Sequence, residues 1–93
     1  SVPYAVSKAA LNHLTALLAN TLAPVVRVNA VAPGLVDTPW TAEWTDLHEV
    51  IKIAAPMGRA AVPADVAEVV QTLVDSTYVT GQVWVIDGGL GLR

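Results

Sequence analysis

Between Pro24 and Pro33-Gly34 the chain runs Val25-Val26-Arg27-Val28-Asn29-Ala30-Val31-Ala32. That short, valine-rich segment constrains the fold more than any other. It carries apolar side chains on both faces, the pattern of a strand inside a parallel sheet. Pro33-Gly34 breaks it. A second segment, Gln82 to Asp87, has the same character and is closed by Gly88-Gly89. Two parallel strands make too small a sheet to be stable alone.

The rest of the chain supplies helices. Ser1 can cap a helix whose first turn holds Pro3. Leu11, Leu14, Leu18 and Leu22 recur at helical spacing to about residue 22, while Ala9, Ala10, Ala16, Ala19 and Ala23 favour the helix and permit close packing. Pro24 ends it by disfavouring the α conformation at Ala23. Residues 35–57 hold Trp40, Trp44, Ile51, Ile53 and Met57 among polar neighbours; they read as a loop followed by one or two loosely defined helices, an element of the kind that acts as a lid. Pro63 suits the first turn of a further helix and Asp65 the positive end of its dipole, with Val66, Val69, Val70 and Leu73 on one apolar face. Thr80-Gly81 marks the turn before the closing strand. The order helix, strand, lid, helix, strand makes an α/β chain whose last three elements form a right-handed parallel crossover unit.

At 93 residues the chain is expected to be one domain or less. Apolar residues make up 54% and charged residues only 14%, a thin charged skin for a free-standing small domain. A buried part of something larger, or a subunit with extensive interfaces, is expected instead. With no initiating Met and no basic-then-apolar leader, the chain reads as an excised or cleaved segment. Net charge is −3 and Lys8, Arg27, Lys52, Arg59 and Arg93 are scattered, so nucleic acid is not an expected partner. The absence of cysteine excludes thiol and disulfide chemistry. His13 and His48 are too isolated for a metal-ligand pattern. Apolar runs are interrupted by Pro, Arg or Asn, so no membrane span or membrane partner is expected. The expected location is cytoplasmic.

Two places could do chemistry. Tyr4 and Lys8 share one helix face. The stripe Leu11, Leu18 and Leu22 lies on the same side, so both polar heads should sit at the edge of a packed surface. A free phenol has a pKa of about 10, too high for ready proton exchange near neutrality. A neighbouring ammonium favours the phenolate, which makes the pair a tunable acid/base for an alkoxide. An ordinary helical tyrosine beside a snorkelling lysine has the same pattern. Pro33-Gly34 stands at the carboxyl end of a parallel strand, where open α/β sheets place ligands; Gly allows close backbone approach and Pro stiffens the turn. A plain strand-ending turn is the alternative. Thr38 could bond a ligand amide or cap the following helix. The final Gly88-Gly89-Leu90-Gly91 is not read as a phosphate loop, because no helix is expected after it.

Taken together, these residues resemble the C-terminal part of the short-chain dehydrogenase/reductase family over nearly the whole chain. Tyr4-Ala5-Val6-Ser7-Lys8-Ala9-Ala10-Leu11 resembles the family's active-site helix, and Arg27 to Gly34 with Asp37-Thr38-Pro39 its sixth strand and nicotinamide loop. Gly58-Arg59 with Pro63-Ala64-Asp65-Val66-Ala67 is similar to the segment before the last helix. Thr80-Gly81-Gln82-Val83 with Asp87-Gly88-Gly89 is similar to the closing strand.

The resemblance implies that residues 1–93 are the C-terminal portion of a single doubly wound, Rossmann-type oxidoreductase domain. It implies NAD or NADP as cofactor, a small-molecule carbonyl or alcohol substrate, and a homo-oligomer, dimer or tetramer. Tyr4 would be the catalytic acid/base. Lys8 would assist it and bond the nicotinamide ribose. Pro33 and Gly34 would lie against the nicotinamide, and the Val36 backbone and Thr38 hydroxyl would hold its carboxamide. Asn29 and Asp87 would fix strand ends. The family's glycine-rich first turn, coenzyme-selecting residue and catalytic Ser are not among these residues, Ser1 being too close to Tyr4 for the last. Activity is therefore expected only with the missing part; a non-catalytic fragment or assembly module is the alternative. Enoyl reductases of related fold carry a longer Tyr–Lys separation, so the resemblance is to carbonyl/alcohol oxidoreductases. Among the remaining residues, Trp40 and Trp44 could form one face of a helical lid. His48 and Glu43 read as lid surface, Arg59 as a partner of carbonyls or a carboxylate, and Tyr78 as a packed loop residue.

Overall fold

The computed structural model describes residues 1–92. Its elements are α1 (Val2–Leu22), β1 (Ala30–Pro33), α2 (Thr45–Ala54), α3 (Pro63–Asp75) and β2 (Val83–Ile86), followed by a 3-10 turn at Leu90–Leu92. Arg93, one of the scattered cations, lies outside the described residues. The chain divides into two compact units, Ser1–Ala30 with Asp75–Trp84 and Val31–Val74 with residues 85–92.

The strands β1 and β2 pair directly. Ala30 N–H donates to the Gln82 carbonyl and Gly34 N–H to the Ile86 carbonyl, each at 2.9 Å. Partner numbers rise together along both strands, so the pairing is parallel. The ladder is shorter than the expected Val25–Ala32 strand. Ahead of Ala30 the Gly81 N–H still donates to the Val28 carbonyl at 2.7 Å, and side chains from both segments add the other bonds. Val28 N–H donates to Thr80 Oγ1 at 3.1 Å, Asn29 Nδ2 to the Val79 carbonyl at 2.9 Å, and Gln82 N–H to Asn29 Oδ1 at 3.0 Å. Arg27 Nη1 adds bonds to Ser76 Oγ and the Val79 carbonyl. The strand-fixing role expected of Asn29 is thus a pair of backbone bonds from one amide.

In the first unit α1 begins where expected: Ser1 Oγ accepts from Tyr4 N–H at 3.2 Å, and Ala23 leaves the helix in an extended conformation. Its packing differs from expectation. Leu11, Leu14, Leu18 and Leu22 stay exposed, and the buried positions are Thr15 and Ala19. Small side chains win because the partner is backbone. A Cβ on Gly81 would lie 3.4 Å from Ala19 Cβ, and Gly81 has φ +73°, so the turn comes against the helix where a leucine would hold it off. Thr15 hides its hydroxyl by donating to the Leu11 carbonyl at 2.9 Å. Tyr78, expected to pack, is 99% exposed.

In the second unit a single helix, α2, follows the loop, with Trp44 at its N-cap and Ile51 buried. At α3, Asp65 stands in the first turn and closes the helix start. Its carboxylate accepts from Val62 N–H at 2.7 Å and takes a bidentate pair from Arg59 at 2.8 and 3.2 Å. Arg59 thereby bonds a carboxylate and the Ala60 carbonyl, as read from the sequence. Leu73 is the buried member of the expected α3 face.

The Arg59 guanidinium, and after it the Val62 N–H, hold the Asp65 carboxyl at about 2, below its ordinary value. A depressed folded pKa contributes stability that is present above the unfolded value of about 4 and lost as pH falls toward the folded one. Asp65→Asn is therefore expected to lower Tm at neutral pH, with the gap to the parent closing between about pH 4 and pH 2. A gap that stays constant across a thermal-unfolding series in that window would contradict the linkage.

The chain exposes 6709 Å². A folded monomer of its mass, 9.7 kDa, would expose about 5,100 Å². Exposed apolar side chains include Val2, Val6 and Leu17 of α1 and Leu47, Val50 and Ile53 of α2.

Candidate active site

In the first unit the structure brings Tyr4 and Lys8 together. They are one turn apart on α1, and Lys8 Nζ lies over the Tyr4 ring, 5.4 Å from its centroid. Both are exposed, Tyr4 by 63%. At 100° per residue they share a face with Thr15 and Ala19. The polar pair therefore continues the face that also carries Leu11 and Leu22, of which the small residues Thr15 and Ala19 are the buried members. Ser7 Oγ donates to the Tyr4 carbonyl at 2.7 Å and tightens this turn.

In the second unit lie Pro33, Gly34, Val36 and Thr38. Gly34 is needed where it stands. A Cβ there would meet Asp87 Cβ at 3.1 Å and Asp87 Cα at 3.3 Å, so the end of β2 closes against the turn. Glycine at this position serves a backbone approach, as expected, but the chain itself is the near neighbour. Asp87 in turn fixes the strand end: Oδ1 accepts from Gly89 N–H and Oδ2 from Gly91 N–H, each at 2.9 Å. A helical turn does follow the glycines, contrary to expectation, but it is a three-residue 3-10 turn. Asp87 occupies two of the amides there, which leaves no phosphate cradle.

Val36 forms a parallel bridge with Ala61, through Asp37 N–H to the Ala61 carbonyl at 2.7 Å and Ala61 N–H to the Leu35 carbonyl at 3.0 Å. In such a bridge the paired residue's own N–H and C=O face away from its partner. The Val36 carbonyl accepts from Thr41 Oγ1 at 2.7 Å. Among the described residues none accepts from the Val36 N–H. Thr38 caps no helix, because α2 starts later, at Thr45. Its hydroxyl makes only a 3.5 Å contact with Thr41 Oγ1, at the limit of a hydrogen bond. This half-buried loop thus presents one amide donor and one hydroxyl, a set that fits a primary carboxamide.

The sequence reading missed Thr41 and misplaced His48. Thr41 is buried, 7% exposed, and His48 Nε2 lies 2.9 Å from its carbonyl. A carbonyl only accepts, so Nε2 carries the hydrogen. His48 is therefore a strut behind the loop rather than lid surface. No spacing rule marks Thr41; only its hydroxyl neighbour Thr38 hinted at a local side-chain turn. Trp40 and Trp44 do pair, at 5.9 Å between centroids and 57° between planes, but in the turn and at the cap ahead of α2 rather than along a helix face.

A cavity of about 200 Å³ in the second unit is lined by Met57, Arg59, Glu68, Val69, Ile86 and Gly88 among others, and holds none of the predicted site residues. Among the described residues no group of three His, Asp or Glu side chains could hold a metal ion, and no helix is long and apolar enough to cross a membrane.

A family model described as enoyl-(acyl carrier protein) reductase matches residues 1–91. The short-chain dehydrogenase/reductase homolog YusR of Bacillus subtilis is 43% identical over 94 residues, covering 96% of this chain and 69% of that protein. The chain belongs to the short-chain dehydrogenase/reductase family. Membership accounts for the parallel pairing of β1 with β2 and for the α/β order, which are part of a Rossmann-type sheet. A granaticin polyketide synthase protein of Streptomyces violaceoruber is 50% identical over 95 residues, 99% of this chain and 38% of its own length. The 3-oxoacyl-[acyl-carrier-protein] reductase FabG of Thermotoga maritima is 45% identical over 91 residues, 94% of this chain and 37% of its own length. The chain thus spans little more than a third of these two short-chain dehydrogenase/reductase relatives. Solved structures agree. A small-chain dehydrogenase in complex with NADPH superposes with TM-score 0.83 at 31% identity, over 91% of this chain and 41% of that one. A 4-hydroxyisoleucine dehydrogenase complexed with NADH superposes with TM-score 0.85 at 28% identity, over 97% and 40%.

Proposed function

We propose that residues 1–93 are the C-terminal portion of a single Rossmann-type domain, and that the whole protein interconverts a carbonyl and an alcohol with NAD or NADP. The observation that carries this reading is the Tyr4–Lys8 pair, one helical turn apart with the ammonium over the ring. A bound nicotinamide would supply or accept the hydride at the carbonyl carbon. Tyr4 gives its hydroxyl proton to the developing alkoxide during reduction and takes it back during oxidation. Lys8 bonds the nicotinamide ribose hydroxyls from its place over the Tyr4 ring. Pro33 and Gly34 lie against the nicotinamide. The Val36 N–H and the Thr38 hydroxyl hold its carboxamide, a role supported by their lack of stronger partners.

The Tyr4–Lys8 spacing supports carbonyl rather than enoyl reduction, as do the 3-oxoacyl reductases among the relatives. Exposed Trp40 supports an apolar small-molecule substrate. The coenzyme's pyrophosphate is held by residues outside 1–93, because these residues contain no glycine-rich turn opening a helix. The isolated chain is accordingly expected to oxidise neither NADH nor NADPH with any ketone, while the whole protein does. The assay is loss of the reduced coenzyme's absorbance in parallel samples, and turnover by the isolated chain would overturn the reading.

One observation favours a second reading, a non-catalytic fragment or assembly module. The face of α1 opposite Tyr4 carries exposed Val2, Val6 and Leu17, which suits a homo-oligomer, dimer or tetramer. Association of the isolated chain by light scattering, with no turnover by the whole protein, would establish that reading in place of the first.

A further inference from the structure

We propose that Thr41 is a positioning residue for the coenzyme's carboxamide, acting through the Val36 carbonyl and the Thr38 amide; the inference rests on the function proposed above. One hydroxyl spans the loop. Thr41 Oγ1 donates to the Val36 carbonyl at 2.7 Å and accepts from Thr38 N–H at 3.0 Å. A hydroxyl has a single hydrogen, so the short bond to Val36 uses it, and the 3.3 Å approach to the Thr38 carbonyl is secondary. The opposite edge is pinned by the Leu35 carbonyl and the Asp37 N–H, both bonded to Ala61. The Val36–Asp37 peptide is held on both edges, by Thr41 at its carbonyl and by Ala61 at its N–H, and cannot rotate. With the Leu35 carbonyl also bonded to Ala61 N–H, the preceding peptide is fixed too, and with it the direction of the unused Val36 N–H.

Thr41 is itself anchored. Its carbonyl accepts from Trp44 N–H at 3.0 Å and meets His48 Nε2 at 2.9 Å, so both lone pairs are used and the hydroxyl is referenced to α2. A buried side chain with its donor, its acceptor and its carbonyl all engaged has one orientation. Valine has nearly the same shape. Thr41→Val would leave the Val36 carbonyl and Thr38 N–H without their partner, and the loop would relax toward other bonds or water.

The test compares two ligands on the whole protein. Thr41→Val is expected to weaken binding of NADH or NADPH, whichever the protein takes, about tenfold. It should leave unchanged the binding of ADP-ribose, or its 2′-phosphate, which lacks the nicotinamide. Thr41→Ser, which keeps the hydroxyl, should restore coenzyme affinity to within about twofold of the parent. Unchanged coenzyme affinity in the valine variant overturns the inference, and so does an equal loss for ADP-ribose, the signature of a merely structural residue. Should the valine variant not fold, Thr41→Cys, a weak donor of similar size, is read in the same way. Thr38→Val separates the two levels. If it weakens coenzyme binding while Thr41→Val does not, Thr41's role fails alone. If neither variant weakens binding, the coenzyme-loop reading fails with it.

Discussion

Tyr4→Phe in the whole protein is expected to lower kcat about a thousandfold and to leave coenzyme affinity within about twofold, the pattern for loss of a general acid/base alone. The substitution isolates the hydroxyl. Phenylalanine keeps the ring under Lys8 Nζ, so the cation–π contact at 5.4 Å survives. It keeps the backbone N–H that Ser1 Oγ caps and the carbonyl that Ser7 Oγ bonds. What disappears is the hydroxyl proposed to pass a proton to the substrate oxygen. Coenzyme titration followed by single-turnover hydride transfer checks both halves of the expectation. Turnover within about threefold of the parent would remove Tyr4 from the chemistry, because general acid/base catalysis contributes at least about a hundredfold.

Gly89→Ala is expected to lower stability by about 2–4 kcal/mol, from two effects that add. Gly89 has φ +88°, a backbone conformation that an L side chain enters only at a cost. Its missing Cβ would also stand 3.0 Å from Pro56 Cγ and 3.2 Å from Pro56 Cδ. The proline ring is rigid and cannot swing aside. The Asp87 carboxylate bond to Gly89 N–H pins the turn from the other side. Thermal unfolding of the whole protein gives the measurement. The double variant with Pro56→Ala should recover the steric part of the loss and retain the conformational part. A single variant as stable as the parent would mean that the turn moves freely.

Much of the secondary structure was legible because it is written locally. A cap, a proline and a run of alanines and leucines define α1 from Ser1 to Ala23. Pro63 with Asp65 opens α3, and Gly88-Gly89 closes β2. The site's types were legible too: Tyr4 and Lys8 fall one helical turn apart whatever surrounds them. Local rules misled where a partner from elsewhere decided the outcome. The leucine spacing of α1 implied a leucine face. The close approach of Gly81 to Ala19 instead selected the small residues and left the leucines in solvent. The valine run implied a strand from Val25, but before Ala30 the backbone bond from Gly81 N–H to the Val28 carbonyl is joined by side-chain bonds from Thr80, Asn29 and Arg27 rather than by a regular ladder.

By itself, the sequence determined the order of elements, the ends of α1 and the start of α3, and the placing of Tyr4 and Lys8 on one helix face, since each depends on residues within a turn or two of one another. Only the tertiary structure decided that Gly34 yields to Asp87, that the Val36 N–H is left unused, and that Thr41 and His48 stand behind the loop. Those facts depend on where distant backbone arrives. A hydrogen bond between Thr41 and Val36, or a bridge from Val36 to Ala61, has no periodicity to betray it. It exists only once the loop has folded back on its own unit.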